Sequence, residues 1–175
     1  MRRKTLQKNT EGKQRGFTLI ETLVAISILL LSISAPLTIA SRGLATAQFA
    51  RDQVIAFYLA QDAVEYIRNL RDENSLSGLS WLNGLASTDG AAFTIDTIDG
   101  DMELCPVDGC PPLEYNAETG FYGYGDSGAQ ESYFVRSVSV EVIDTQEAVI
   151  TITLSWSAGV FSRTFSITEN IFDWQ

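Results

Sequence analysis

The sequence predicts an α+β protein in which one long N-terminal helix packs on a C-terminal antiparallel sheet of about four strands. The first observation is an uncharged run, residues 22–41, that continues without a break into helix-favouring sequence as far as residue 74. The second is strict alternation of apolar and polar residues near the C-terminus, which is typical of half-buried strands. With 45% apolar residues in 175, the chain has material for one modest core.

Charge divides the chain into a basic head and an acidic body. Residues 1–16 hold six Lys or Arg and one acid, whereas the remainder holds six Arg and 21 acids. A basic head before an apolar run follows the positive-inside rule, so we expect a single pass through the cytoplasmic (inner) membrane with the C-terminal part outside the cytoplasm. The acidic body repels phosphate, and no direct binding of nucleic acid is expected.

The 20 uncharged residues from Thr22 to Ser41 are enough helix to cross a bilayer core of about 30 Å. We therefore expect residues 17–41 to form the membrane-embedded half of the helix. Pro36 lies inside this run, where it removes one helical hydrogen bond and favours a bent or loosened axis.

The second half of the helix, residues 42–74, is amphipathic. Its apolar positions recur at helical spacing and comprise Ile55, Leu59, Ala63, Tyr66, Ile67 and Leu70. The helix is expected to end near Asn74, because serine and glycine follow it. We interpret the apolar stripe as the partner of the chain's own sheet, with a role purely between subunits as the alternative.

The globular part, residues 75–175, divides into an irregular acidic loop region, 75–131, and a sheet, 132–175. Within the loop region, residues 92–97 and 120–124 are short strand candidates. Val138, Val140 and Val142 begin the alternation, and Ile150, Ile152, Leu154 and Trp156 continue it. A third strand, 160–168, follows a predicted turn at Ala158 and Gly159, which gives a three-stranded meander.

Two features of the loop region are candidate sites. Cys105 and Cys110 are the two cysteines of the chain and are expected outside the cytoplasm, where they would form a disulfide. Asp96, Asp99 and Asp101 carry oxygen ligands that suit calcium, but their spacing is not that of an EF-hand, so solvated turn residues are the preferred interpretation. The cysteine pair alone leaves two zinc ligands unfilled, and we predict no metal and no cofactor.

The chain contains no histidine, which removes the usual general base and the commonest metal ligand. We therefore predict that the protein is not an enzyme.

The N-terminal segment RGFTLIETLV, residues 15–24, resembles the processing and methylation signal of type IV prepilins and type II secretion pseudopilins. It combines a short basic leader, a glycine before phenylalanine, a glutamate at the fifth position after that glycine, and an apolar run. The resemblance implies that prepilin peptidase removes residues 1–16 by cutting between Gly16 and Phe17. It also implies that the new Phe17 amine is N-methylated and that Glu21 engages the Phe17 amine of an adjoining subunit during assembly.

The resemblance therefore implies a minor subunit of a type IV pilus that serves adhesion, motility or DNA uptake, with a minor pseudopilin of a type II secretion system as the alternative. Its expected partners are other pilin or pseudopilin subunits, the prepilin peptidase and methyltransferase, the inner-membrane assembly platform, and lipid before assembly. Its final location would be a pilus or pseudopilus. In this family the helix often loosens near the position of Pro36 when subunits pack.

Three other interpretations remain open. An ordinary signal peptide could end at Ala45-Thr46-Ala47, although its apolar region would be unusually long. A simple signal anchor would leave Glu21 without a partner. A membrane-anchored module that binds a ligand and never polymerises is a third alternative.

Overall fold

The computed structural model describes residues 16–158 and 161–173; the side chains of residues 158 and 161 are not described. The chain divides into two units, Met1–Thr46 and Ala47–Gln175, and helix α1, Leu19–Leu76, contributes to both. All of the strands belong to the second unit. The fold is the predicted α+β arrangement of one long N-terminal helix and a C-terminal antiparallel sheet.

Helix α1 ends two residues later than expected, at Leu76 rather than near Asn74. Asn74 lies inside the helix, and its buried side chain donates hydrogen bonds to the backbone oxygens of Trp81 and Asn83 in the loop that follows. The chain leaves the helix at Gly78, whose φ of 67° is the left-handed conformation that glycine adopts at helix ends. Asn74 therefore anchors the loop that follows the helix.

The described residues form a sheet of seven strands, not the roughly four that the sequence predicted. The strands are β1 Phe93–Ile95, β2 Met102–Leu104, β3 Pro112–Tyr115, β4 Tyr122–Gly123, β5 Gln130–Val142, β6 Glu147–Ala158 and β7 Phe161–Phe172. β1 and β4 fall on the two short candidates in the loop region. β2 and β3, which are three and four residues long, were not predicted.

Strand β5 organises the sheet. It pairs with β6 along nine positions, from Phe134 opposite Trp156 to Val142 opposite Ala148, and with β1 and β3 as well. β6 in turn pairs with β7, so the predicted meander is present. The predicted turn at Gly159 and the predicted strand start at residue 160 lie outside the described residues.

The core of the second unit lies between the amphipathic half of α1 and the sheet. The helix contributes Ala56, Leu59, Ala60, Ala63, Val64 and Ile67, and the sheet contributes the alternate residues of β5 and β6 together with Phe93, Ile95, Leu113 and Ile171. The helix stripe is therefore the partner of its own sheet, as predicted. Val138 and Val140 are buried as the alternation predicts, whereas Val142, at the end of β5, is exposed.

Candidate functional site

The helix begins three residues after the Gly16–Phe17 bond, at Leu19. Gly16 and Phe17 are exposed and belong to no helix or strand, and 80% of the Phe17 surface is accessible. Thr18 is the N-cap residue: its Oγ1 accepts a hydrogen bond from the Glu21 amide at 3.3 Å, and its carbonyl accepts from the Thr22 amide at 3.2 Å. The candidate cleavage bond thus immediately precedes a capped helix.

Glu21 lies in the first turn of α1, at the third helical position. A carboxylate there is favoured by the partial positive charge of the helix N-terminus. The Glu21 side chain has no hydrogen bond or ion pair among the described residues. The position offsets part of the cost of placing an acid at the mouth of an apolar span.

The apolar half of α1 begins at Leu19, two residues later than the expected residue 17, and it is exposed as far as Ser41. Within the described part of the chain, α1 is the one helix whose length and composition would allow it to cross a membrane. A run of large aliphatic side chains, among them Leu29, Leu30 and Leu31, is more than half exposed. Such a surface requires lipid or protein to cover it.

The hydroxyl groups in this half of the helix are compatible with an apolar environment. Each hydroxyl donates a hydrogen bond to the carbonyl of the residue three or four positions earlier in the same helix. The donors are Thr22, Ser27, Ser32, Ser34, Thr38 and Ser41. Because polar groups in lipid need an internal partner, this pattern satisfies them without help from water.

Pro36 lies within the unbroken helix. It has no amide hydrogen, so the Ser32 carbonyl lacks its usual helical donor. The helix continues on both sides of Pro36. The predicted loosening of the axis on assembly stays a prediction.

Cys105 and Cys110 form the predicted disulfide, with their Cα atoms 4.6 Å apart. It closes the connection between β2 and β3, in which the Gly109 amide donates to the Pro106 carbonyl at 3.0 Å. Gly109 has a φ of 112°, a conformation that residues with a side chain rarely adopt. The disulfide and this turn together hold the loop that carries Val107 at its tip.

The three aspartates considered for calcium do not form a shared site. Within residues 16–158 and 161–173, no three side chains of His, Cys, Asp or Glu converge as a group that could hold a metal ion. Asp96 is buried, not solvated, and its carboxylate accepts hydrogen bonds from the amides of Ile98, at 2.8 Å, and Tyr124, at 2.7 Å. Asp96 therefore connects the β1–β2 turn to β4, and the description of it as a solvated turn residue was wrong.

Arg136 is a structural residue that the sequence analysis missed. Its side chain is 0% exposed and its guanidinium joins two elements, since Nη1 donates to the Leu59 carbonyl of α1 at 2.9 Å and Nη2 to the Ile95 carbonyl of β1 at 2.6 Å. Asp62 lies 3.6 Å from Nη1 at the helix surface. The sequence contained one indication that Arg136 is buried, which is its position on the apolar face of β5, between Phe134 and Val138.

Tyr124 is expected to make stability depend on pH above 10. Burial raises its pKa from 10.0 to about 12, an effect that the nearby Arg136 charge partly opposes. In the unfolded chain Tyr124 loses its proton near pH 10, whereas in the folded chain it keeps the proton until about pH 12. The unfolded state therefore binds fewer protons in this window, and the free energy of unfolding falls as pH rises, by about 2 kcal/mol.

Urea denaturation of the full chain in detergent micelles between pH 9 and 12, followed by tryptophan fluorescence, measures this effect. The control is Tyr124→Phe, which should lack the decrease in the free energy of unfolding that Tyr124 causes at alkaline pH. Because the Tyr124 hydroxyl has no hydrogen-bond partner among the described residues, the variant should be at least as stable as wild type at pH 7. If the free energies of unfolding of the two proteins fall in parallel between pH 9 and 12, Tyr124 is not the cause of the pH dependence.

The family model of the prokaryotic N-terminal methylation motif matches residues 12–35. No curated protein and no solved structure shows significant similarity to the chain. The match covers the candidate cleavage bond, Glu21 and most of the apolar half of α1. This motif, at the start of a long apolar N-terminal helix, fits a type IV pilin-like protein.

Proposed function

We propose that the chain is a minor pilin-like subunit of a type IV pilus. In this proposal prepilin peptidase cuts between Gly16 and Phe17, the Phe17 amine is methylated, and the subunit enters a fibre through α1. The methylation motif at residues 12–35 is the observation that carries the proposal. The work of the protein is structural, and its partners are other pilin subunits and the inner-membrane assembly platform.

The exposed apolar helix and the Glu21 carboxylate support cleavage followed by assembly. The exposed apolar part of α1, from residue 19 to residue 41, is suited to lipid before assembly and to other helices afterwards. Hydrolysis of the Gly16–Phe17 bond removes the basic leader and creates an ammonium group at Phe17. The Glu21 carboxylate, unpaired within the described residues, supplies a matching charge for the amine of an adjoining subunit.

The second unit supports a specialised rather than a bulk subunit. Residues 75–131 form a long, acidic segment with four short strands and a disulfide-closed loop, between the helix and the meander. This segment is large relative to a chain of 175 residues. In the proposal it faces outward from the fibre, where it distinguishes this subunit from its neighbours.

The proposal is tested by shearing surface fibres from cells that produce the chain and identifying it in the fibre fraction. The expected result is recovery of a chain that begins at Phe17. A chain that remains in the membrane fraction under conditions in which other pilin subunits are recovered would instead indicate an anchored module that does not polymerise.

A further inference from the structure

We propose that the second unit carries a docking groove for a basic segment of another protein, which binds there through its Lys and Arg side chains. The groove lies between α1 and two turns of the sheet, the β1–β2 turn at residues 96–101 and the β3–β4 turn at residues 116–121. Its volume is about 740 Å³, within the range of about 300 to 1,000 Å³ that is typical of ligand clefts. The inference goes beyond the proposed function and does not depend on leader removal or on entry into a fibre.

The groove presents aromatic and aliphatic surface to solvent. Tyr58 of α1 is 64% exposed, Phe121 of the β3–β4 turn is 61% exposed, and Ile98 of the β1–β2 turn is 50% exposed. Large apolar side chains that meet in a cleft indicate a surface that another molecule covers. Lys and Arg are suited to it, because aromatic faces attract their charges and their long apolar stems pack on such a surface.

Acidic side chains surround the groove. Its lining comes from three segments, residues 55–65, 96–101 and 116–122. Together these segments contain six acids and no Lys or Arg. Two neighbouring arginines pair with two of the acids, since Asp62 lies 3.6 Å from Nη1 of the buried Arg136 and Glu65 lies 3.2 Å from Nη1 of Arg68. Six acids less these two arginines leaves an excess of four negative charges, which attracts a cationic side chain into the groove.

The charge of the second unit argues against another copy of this chain as the occupant. Residues 47–175 contain 20 acids and five Arg. Two such surfaces repel each other at the short distances of an interface, whereas a basic segment is attracted. The occupant that fits the groove is therefore a segment of a different protein that is rich in Lys and Arg.

The two turns that frame the groove are fixed by hydrogen bonds within the chain. The buried Asp96 carboxylate accepts from the amide of Ile98 in the first turn, at 2.8 Å, and from the amide of Tyr124 directly after β4, at 2.7 Å. In the second turn, Asn116 Oδ1 accepts from the amide of Glu118 at 2.9 Å. Because these contacts hold both turns before a partner arrives, little conformational entropy is lost when the groove is filled.

Methyl NMR of the full chain in phosphatidylcholine nanodiscs tests the groove. The probes are the acetylated and amidated peptide Lys-Leu-Arg-Gly-Lys-Leu-Arg and the same peptide with glutamine in place of every Lys and Arg. Isoleucine methyl groups are observed, because Ile55 and Ile98 line the groove and the exposed Ile143 does not. We expect the basic peptide to shift the signals of Ile55 and Ile98 saturably without moving that of Ile143, and the glutamine peptide to bind about tenfold more weakly.

Two variants at exposed positions of the groove and one matched control locate the binding. Phe121→Ser removes an aromatic ring and is expected to weaken binding of the basic peptide about tenfold. Glu65→Gln removes one charge and is expected to weaken it about threefold. The control is Leu104→Ser, which removes an exposed apolar side chain from β2, outside the groove, and should bind the peptide like wild type.

Four results would overturn the inference. The first is the absence of saturable shifts with either peptide, and the second is equal binding of the two peptides, because charge would then not select the occupant. The third is a Phe121→Ser variant that binds as tightly as Leu104→Ser. The fourth is a shift of the Ile55 and Ile98 signals with the concentration of the chain alone, which would identify a second copy as the occupant. None of these results bears on cleavage between Gly16 and Phe17.

Discussion

Replacing Glu21 with alanine is expected to leave membrane insertion and leader removal intact while lowering the amount of the chain in fibres ten- to a hundredfold. Insertion should not suffer, since a carboxylate in a membrane helix is unfavourable by about 2.5 to 3.5 kcal/mol on insertion scales. Incorporation should suffer, because in the proposed function Glu21 accepts a charged hydrogen bond from the Phe17 amine of an adjoining subunit, and the loss of such a bond costs about 1.5 to 3 kcal/mol.

The measurement is the ratio of fibre-associated to membrane-associated chain, with the mature N-terminus checked in both fractions. Glu103→Ala is a matched control, since it also removes one negative charge but from an exposed position on β2. The control should assemble like wild type. If Glu21→Ala enters fibres as efficiently as Glu103→Ala, the acid has no assembly role and the simple signal-anchor interpretation is favoured.

Replacing Arg136 with alanine is expected to destabilise the second unit by about 2 to 5 kcal/mol. The change removes a fully buried side chain together with its hydrogen bonds to Leu59 of α1 and Ile95 of β1. The remaining cavity adds to the loss, because the surrounding core relaxes only in part. Domains of this size are stable by about 5 to 15 kcal/mol, so the loss is a large fraction of the total.

Two variants separate the contributions to this effect. Arg136→Met fills most of the volume without the charge and is expected to cost about 1 to 2 kcal/mol, since buried ionic groups can often be replaced by apolar ones. Arg51→Ala removes an exposed arginine and should change the free energy of unfolding by less than about 0.5 kcal/mol. An Arg136→Ala variant as stable as Arg51→Ala in urea denaturation would show that the guanidinium does not join α1 to the sheet.

The sequence was most informative where a pattern repeats over many residues. The uncharged run 22–41, the helix stripe and the alternation along β5 and β6 each repeat often enough to indicate the element and its buried face. The motif around Gly16 and Glu21 was recognisable because it combines four separate features over a short stretch. The disulfide followed from the number of cysteines and their expected compartment.

What could not be predicted depends on contacts between distant residues. Strands β2 and β3 are defined by their pairing with β1 and β5, which the local sequence does not reveal. Asp96 was interpreted as a solvated turn residue, but it is buried and accepts a hydrogen bond from the amide of Tyr124, 28 positions later in the chain. Arg136 gave no sign of its two carbonyl partners, which lie 77 and 41 positions away.

The N-cap at Thr18 is a local feature that could have been predicted from the sequence but was not. Thr18 and Glu21 have the spacing of an N-cap residue and the third helical residue, a common signature of helix starts. The motif alone predicts that Glu21 is an acid inside a membrane helix. The structure places it in the capped first turn, where the helix dipole favours its charge.

In the proposed function the working form of the protein begins at Phe17, which the intact mass of the chain isolated from sheared fibres would reveal. We expect a mass that lacks residues 1–16 and includes one additional methyl group on the N-terminal amine. A chain that begins at Gln48 would identify an ordinary signal peptide. A functional chain that still carries its basic leader would contradict the whole account.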